Sequence, residues 1–535
     1  MGVPARRRLT NTASPASFEI ARHWIRKCRQ SHNCGAIPWF LSKEYSREQW
    51  PSRLVEVSFF GSTSEDIRLV DVLQLKSCPD YTTLSYCWGL DRNLHERYIT
   101  TTARLASRLE RIQFSILPQT LKDSIQICRK LGFQYIWIDA LCIIQDSESD
   151  WLLESAKMAS IYARCLLTIA VDNSSSANGG CFNRRSSSQA AILKREIHFF
   201  KLTCTLSSGQ RSTLYINGTN PISGHLISLG PWLEGRAWTF QERILSPRIL
   251  HYAPDQLFWE CRQEYQAEDE MDLWYIPSDH STMSGMLLKL SHFDPNPERN
   301  KLLAICTWYF DILGPEYSSR ALTRATDKLA AIAGLARAVY PAIQSRYLAG
   351  LWLDKIHIGL GWEIMTLSAR ELGSTYFKRL DNGSPSWSWA SCGLQVTWPG
   401  VSLASVEKER SLISVEDVDI PLHGADPFGG VRGGRLTISG KVRQVRIRQS
   451  DEYQSLMYLL RSDGTEVGQG TLDQWEFFDS LTCLLISKNE GSSRGSAILL
   501  HATGRAPEEY ERKGFTWGIN LNFFKDSPMK KVILV

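Results

Sequence analysis

No stretch of this sequence reaches eighteen consecutive apolar residues, which excludes a helix that spans a membrane by its own hydrophobicity. An excess of one charge is also missing. Lys and Arg number 61 against 56 Asp and Glu, a formal net charge of +5 over 535 residues. So small a surplus gives no electrostatic footprint for nucleic acid, and the run Arg6-Arg7-Arg8 reads as a solvated tail. The patterns GxxxxGK[ST] and HExxH are absent, so nucleoside-triphosphate and zinc-protease chemistry lack their usual support. The opening MGVPARRRLT has no apolar secretory core, and Arg6 stands where a myristoylation signal has Ser or Thr. No internal repeat is evident.

What is present is ordinary globular composition, 43% apolar and 22% charged, on a chain long enough for two to four domains. The 13 cysteines are odd in number and lie in apolar segments. That distribution predicts a reduced, cytoplasmic protein and no disulfide framework. Cys142 reads as an inert core thiol. The 18 tryptophans predict aromatic cores more readily than stacking surfaces.

The α/β signature begins at residue 81. Tyr81–Trp88, Phe133–Ile138 and Cys165–Val171 are short, nearly continuous apolar runs, as strands with both faces covered require. Between the first two lies LPQTLKDSIQICRKLG, whose Pro118 suits a helix start and Gly132 a helix end. Between the second and third, Asp150 is a candidate cap for a helix to about Ala163, with Leu153, Met158, Ile161 and Tyr162 inward. The alternation predicts a parallel sheet. Segment 173–234 interrupts it, with NSSSANGG as a loop and 197–217 as a hairpin. Before it, residues 1–15 read as a frayed terminus, 18–30 as a helix, and Leu54–Phe59 and Ile67–Val72 as strands.

After it, 270–300 reads as a polar linker and 299–345 as helical, with Thr326 a candidate cap. From about 383 the pattern turns to β, and SPSWSWAS places Trp387 and Trp389 at period two, as in a core-facing strand. The expected organisation is an N-terminal extension over 1–80 packed on a domain over 81–260. A helical connection over 261–380 and a β-rich domain over 381–535 follow.

Ligands of a parallel sheet sit beyond the carboxyl ends of its strands, where Trp88, Asp139 and Asp172 fall. There Asp139 and Trp88 admit two readings, a ribose and base contact, or a turn cap and an edge plug. In GRAWTFQERILS (235–246), Trp238 and Glu242 are four apart and share a helix face. Arg236 and Arg243 suit Glu242, Asp139 or a phosphate. From the residues alone, a surface ion-pair network explains this helix best. Cys28, His32 and Cys34 form C-x3-H-x-C, which are zinc-ligand types at a spacing of no common finger. Cys78 completes a set of four only if the fold brings it back. A packed helix end explains the same residues, and no metal is assigned.

Three blocks resemble fungal heterokaryon incompatibility (HET) domain proteins, in that family's order: YTTLSYCWG (81–89), LPQTLKDSIQICRKLGFQYIWIDALCIIQDSESDWLLESAKMASIYARCLLTIA (117–170) and GRAWTFQERILSPRIL (235–250). TRATDKLAAIAGLA, YLAGLW, SPSWSWAS and the terminal EEYERKGF are similar to segments that follow the domain in full-length members. The HET domain in turn looks like a remote relative of Toll/interleukin-1 receptor (TIR) domains. LSYCWGLD resembles the TIR first strand, and Trp238 and Glu242 resemble its W-C-x-x-E helix, with Thr239 in the cysteine position.

The resemblance implies a TIR/flavodoxin-like parallel-sheet domain with an insertion, then a helical segment and a β-rich region. It implies a cytoplasmic non-self-recognition or cell-death effector triggered by a protein partner or allelic product, and a possible homo-oligomer. NAD is the implied candidate substrate of a glycohydrolase, with Glu242 catalytic and Tyr86, Trp88, Asp139, Arg236, Trp238 and Gln241 around the ligand. A non-catalytic oligomerising module and a metabolic role outside incompatibility are the alternatives.

Overall fold

The three apolar runs form the parallel centre of an eight-stranded sheet. Its strands are β1 (Arg53–Glu56), β2 (Arg68–Asp71), β3 (Thr82–Ser85), β4 (Tyr135–Trp137), β5 (Leu167–Ala170), β8 (Arg248–Tyr252), β9 (Leu257–Cys261) and β10 (Tyr265–Ala267). Their spatial order is β10-β9-β8-β5-β3-β4-β1-β2. The remaining pair, β6 (His198–Thr205) and β7 (Arg211–Gly218), is the antiparallel hairpin expected within the insertion. Strands β4, β3, β5 and β8 run parallel, while β1 and β9 join the two edges antiparallel. Every residue of β3, β5 and β8 is buried, as strands covered on both faces must be.

The computed structural model describes residues 11–36, 45–58, 65–183, 198–205, 211–218, 231–254, 256–269, 296–365, 379–400, 402–450, 456–474 and 476–535, with Leu9, Pro38, Leu41, Leu287 and Leu290. Of the frayed terminus expected over 1–15, residues 1–8 and 10 lie outside these, as does most of the linker expected over 270–300, while Ser14 already caps the helix that starts at Pro15. Among the described residues no helix is long and apolar enough to cross a membrane.

The helix between β3 and β4, Gln119–Leu131, follows Pro118 and ends on Gly132 at φ 84°, the left-handed cap that glycine adopts without strain. Leu121, Ile125 and Cys128 are its buried stripe. The next helix, Glu148–Arg164, differs from expectation at its start. Ser147 caps it by accepting from the Asp150 amide at 3.2 Å, and Asp150 instead pairs with Arg53 at 2.5 Å. Met158, Ile161 and Tyr162 face inward, whereas Leu153 is 52% exposed.

The chain divides into two compact units, residues 1–235 with 242–289 and residues 236–241 with 290–535. The boundary thus falls inside the helix Ala237–Leu245. In the second unit Asn296 caps the helix Pro297–Cys306, which continues as a π-helix over Thr307–Tyr317. The helix expected after Thr326 starts later, at Ala333. Residues Ala325–Asp327 and Ala330–Ile332 wind as 3-10 turns, with Lys328 drawn inward over the Trp389 ring at 5.4 Å.

A nine-stranded sheet fills the C-terminal region, its core including Met457, Leu459, Cys483, Leu485, Leu499 and Ile519. SPSWSWAS does not join it as a strand. Trp387 and Trp389 are fully buried, in keeping with their spacing, but on a turn that ends in a short 3-10 helix. The serines between them explain this. Ser388 Oγ accepts from the Ala390 amide at 3.1 Å and donates to the Ala349 carbonyl at 2.5 Å, satisfying the backbone without a ladder.

Arg512 anchors this unit. Its guanidinium lies 3.5 Å from the Trp362 ring centroid and donates to both Asp473 oxygens, at 2.9 and 3.2 Å. It also donates to the carbonyls of Leu360 and Trp362. Replacing Arg512 by Ala leaves a buried carboxylate uncompensated and is expected to cost about 3–5 kcal/mol of unfolding free energy. Urea titration of the two proteins checks this, and a loss below about 1 kcal/mol, the worth of an exposed pair, would contradict it.

Candidate functional site

Beyond the carboxyl ends of β3 and β4, the indole of Trp88 donates to the Asp139 carboxylate at 2.8 Å. The other Asp139 oxygen accepts from the Ala140 amide at 2.7 Å. Asp139 therefore caps the turn that follows β4 while it meets the tryptophan. Both residues keep part of their surface exposed.

Behind them Tyr86 and Tyr98 are buried, and among the described residues their hydroxyls find no hydrogen bond of good geometry. Burial, and then the Asp139 charge, push both phenols above their ordinary range. Trp88 is set from the other side by His95, whose Nε2 lies 3.0 Å from the Trp88 carbonyl.

The loop NSSSANGG closes over the end of β3. The Ala177 amide donates to the Trp88 carbonyl at 3.1 Å, and the Cys181 and Phe182 amides donate to Asp123 at 2.8 and 3.2 Å. Gly89 is required here. It sits at φ 86°, and a Cβ on it would lie 2.6 Å from the Ser176 Cβ.

Glu242 is 8% exposed and lies beside Tyr162. The Tyr162 hydroxyl donates to the Leu84 carbonyl at 3.1 Å. Its ionisation is pushed far up by burial first, then by the charges of Glu242 and Asp139. Trp88 and Asp139 thus meet directly at the end of β4, while Glu242, on the Ala237–Leu245 helix, lies beside Tyr162, which feels the charges of both carboxylates. Tyr98 and Tyr162 complete the group. Helical periodicity marks Tyr162 as an inward residue but says nothing of its polar tip, and no pattern in the sequence singles out Tyr98.

The other three candidates have partners in the second unit. The Trp238 indole donates to Asp327 at 3.4 Å, and the Gln241 amide oxygen accepts from the Gly334 amide at 3.2 Å. The Arg236 carbonyl accepts from Arg320 at 3.3 Å, and Arg236 forms a backbone bridge with Ala321.

Arg243 carries the ion pair expected of this helix, but the pair is buried. Arg243 Nε donates to Glu260 Oε2 at 2.8 Å, with Glu234 3.6 Å away. Neither Glu242 nor Asp139 is its partner in these contacts. The same Glu260 carboxylate accepts from Tyr265 at 3.0 Å and lies 3.2 Å from His251 Nε2. His251 Nδ1 meets Asp172 at 2.8 Å. Asp172, a candidate at the end of β5, is 2% exposed and held by this histidine. Burial alone would lower the His251 pKa, yet Asp172 and Glu260 outweigh it and hold it above the ordinary 6.5.

A raised pKa in the folded state means that protonated His251 contributes stability fully below 6.5 and loses it as pH climbs through the folded value. Unfolding free energy is therefore expected to fall with rising pH between 6.5 and the raised folded value, by at most about 1.4 kcal/mol per pH unit from this group. Urea midpoints across a pH series check it. His251→Gln is expected to flatten the slope, and an unchanged slope would contradict the assignment.

Residues 81–242 match the family model of Heterokaryon incompatibility protein (HET), a span that begins just before β3 and ends at Glu242. No curated protein and no solved structure matches the chain. The matched span contains the parallel strands β3, β4 and β5, the loop over Trp88 and both carboxylates beside Tyr162, and by it the chain carries a heterokaryon incompatibility (HET) domain.

Proposed function

We propose that the chain is a cytoplasmic effector of heterokaryon incompatibility, the role its HET domain suggests, and that it kills by cleaving NAD at the Asp139–Glu242 site. The observation that carries the chemistry is Glu242 beside the buried Tyr162, whose ionisation the charges of Glu242 and Asp139 both raise after burial, with Asp139 held by the Trp88 indole at the end of β4. The parallel order β4-β3-β5-β8 is the 2-1-3-4 order of flavodoxin-like sheets, which take ligands beyond the strand ends. It supports the TIR/flavodoxin-like reading.

In this proposal the bond between nicotinamide N1 and ribose C1′ breaks, and its electron pair leaves with the neutral nicotinamide. The ribose passes through an oxocarbenium-like state, which the Glu242 carboxylate stabilises from beside the ring hydroxyls. Water adds to C1′ and releases one proton, giving ADP-ribose. Asp139 assists at the ribose, Trp88 stacks on a ring, and Tyr86 hydrogen-bonds the ligand. A protein partner or allelic product supplies the trigger.

One observation favours a second reading, a non-catalytic module that signals by self-association. Trp88 and Asp139 already satisfy one another, and Glu242 is almost closed to solvent. Incubating the purified chain with NAD separates the two. Nicotinamide release is expected, and Glu242→Gln is expected to lower it at least about 100-fold with the fold retained. Toxicity that persists in Glu242→Gln without NAD loss would overturn the enzymatic reading.

A further inference from the structure

The helix Pro15–Ser31 ends in an unusual way. Cys28 lies in its last turn, and His32 leaves the helix in an extended conformation, its amide donating to the Cys28 carbonyl at 3.0 Å. A turn, closed by the Ala36 amide on the Asn33 carbonyl at 3.1 Å, then brings Cys34 back to the helix end. The last residue of β9, Cys261, reaches the same point from the sheet. The missing fourth member is thus Cys261 and not Cys78, which lies 3.9 Å from the Tyr45 hydroxyl.

We propose that Cys28, His32, Cys34 and Cys261 form a structural zinc site that clamps the N-terminal helix to strand β9 of the HET-bearing unit. The three sulfurs and the imidazole nitrogen all lie within 4.8 Å of one another. A tetrahedron with zinc–sulfur bonds of about 2.3 Å has sulfur–sulfur edges of about 3.8 Å and sulfur–nitrogen edges of about 3.5 Å. The Cys261 Sγ to His32 Nδ1 separation is 3.4 Å, already at that edge length. Four protein ligands close the coordination sphere, so the site is structural and not catalytic. Three soft thiolates and one imidazole suit zinc over the hard divalent cations.

The surroundings are those of a metal centre. His32 Nε2 faces the Glu264 carboxylate at 3.3 Å, a contact that fixes the proton on Nε2 and turns the Nδ1 lone pair toward the sulfurs. Glu264 is itself held by Lys27 at 2.6 Å and by Gln266. Three thiolates and a zinc ion leave one negative charge, and Arg248, whose Nε donates to Cys28 Sγ at 3.3 Å, offsets it. Arg262 donates to the Cys34 and Ala36 carbonyls at 3.0 and 3.2 Å and fixes the turn. Cys28, Cys34 and Cys261 are at most 1% exposed. Dispersion alone gives no reason for three thiols and an imidazole to meet in one buried spot, and Trp24 against Trp259 already packs this helix on β9. The clamp joins His32 to a partner 229 residues away, where a cross-link restricts the unfolded chain most.

Metal analysis of the full chain, purified without chelator, tests the site. About one zinc ion per chain is expected, and cobalt(II) exchange should give the visible bands of a tetrahedral thiolate-rich centre. Cys261→Ser should abolish both. Because loss of a ligand can also unfold the chain, Glu264→Gln is the second arm, which keeps all four ligands and should weaken zinc affinity by about 10–100-fold in a chelator competition. The proposal is overturned if the folded chain holds no stoichiometric metal and cobalt(II) leaves the spectrum blank. Zinc content and affinity unchanged in both variants would overturn it equally.

Discussion

The Arg243–Glu260 pair fixes the rotation of the helix that carries Glu242. Adjacent residues on a helix point about 100° apart. Once Arg243 is tied to strand β9, the direction of Glu242 follows. The pair is not isolated. Glu260 also takes Tyr265 and His251, and His251 takes Asp172 at the end of β5, so one chain of charges links the helix, β9 and the central strand. Single removals in such a chain leave a charge unpaired in a medium of low dielectric, which is why its members are coupled.

That constraint gives the two ends of the sheet different roles. At β9 and β10, carboxylates are fully used in holding the fold. At the ends of β3 and β4, Asp139 and Trp88 remain partly open, with the buried Tyr86 and Tyr98 behind them. The HET match covers this second region and stops at Glu242. The proposed zinc clamp lies on the far edge, where the N-terminal helix meets β9, and stabilises the strand that supplies Glu260.

Much of this architecture is legible in the amino-acid sequence alone. Apolar runs bounded by Pro118 and Gly132 locate the central strands and their first helix, because such signals act within a few residues. The hairpin at 198–218 and the burial of Trp387 and Trp389 are also readable. Local competition is not. Ser147 displaces Asp150 as a cap because Arg53, about a hundred residues away in sequence, claims the carboxylate. The serines around Trp387 and Trp389 satisfy the backbone and remove the need for a strand. Partners distant in sequence are invisible for the same reason. Neither Glu260 for Arg243 nor Cys261 for Cys28, His32 and Cys34 leaves any spacing signature, since only the closing of β9 onto β8 brings them near.

The claim that Glu242 and Asp139 face a nucleotide ribose is tested most directly by a crystal structure of the chain with an NAD analogue whose ribose ring oxygen is replaced by carbon. The ribose hydroxyls should lie within hydrogen-bond distance of the Glu242 carboxylate, with Trp88 released from Asp139 and stacked on a ring. An analogue bound elsewhere, with Glu242 still closed against Tyr162 and the Trp88–Asp139 bond intact, would contradict it.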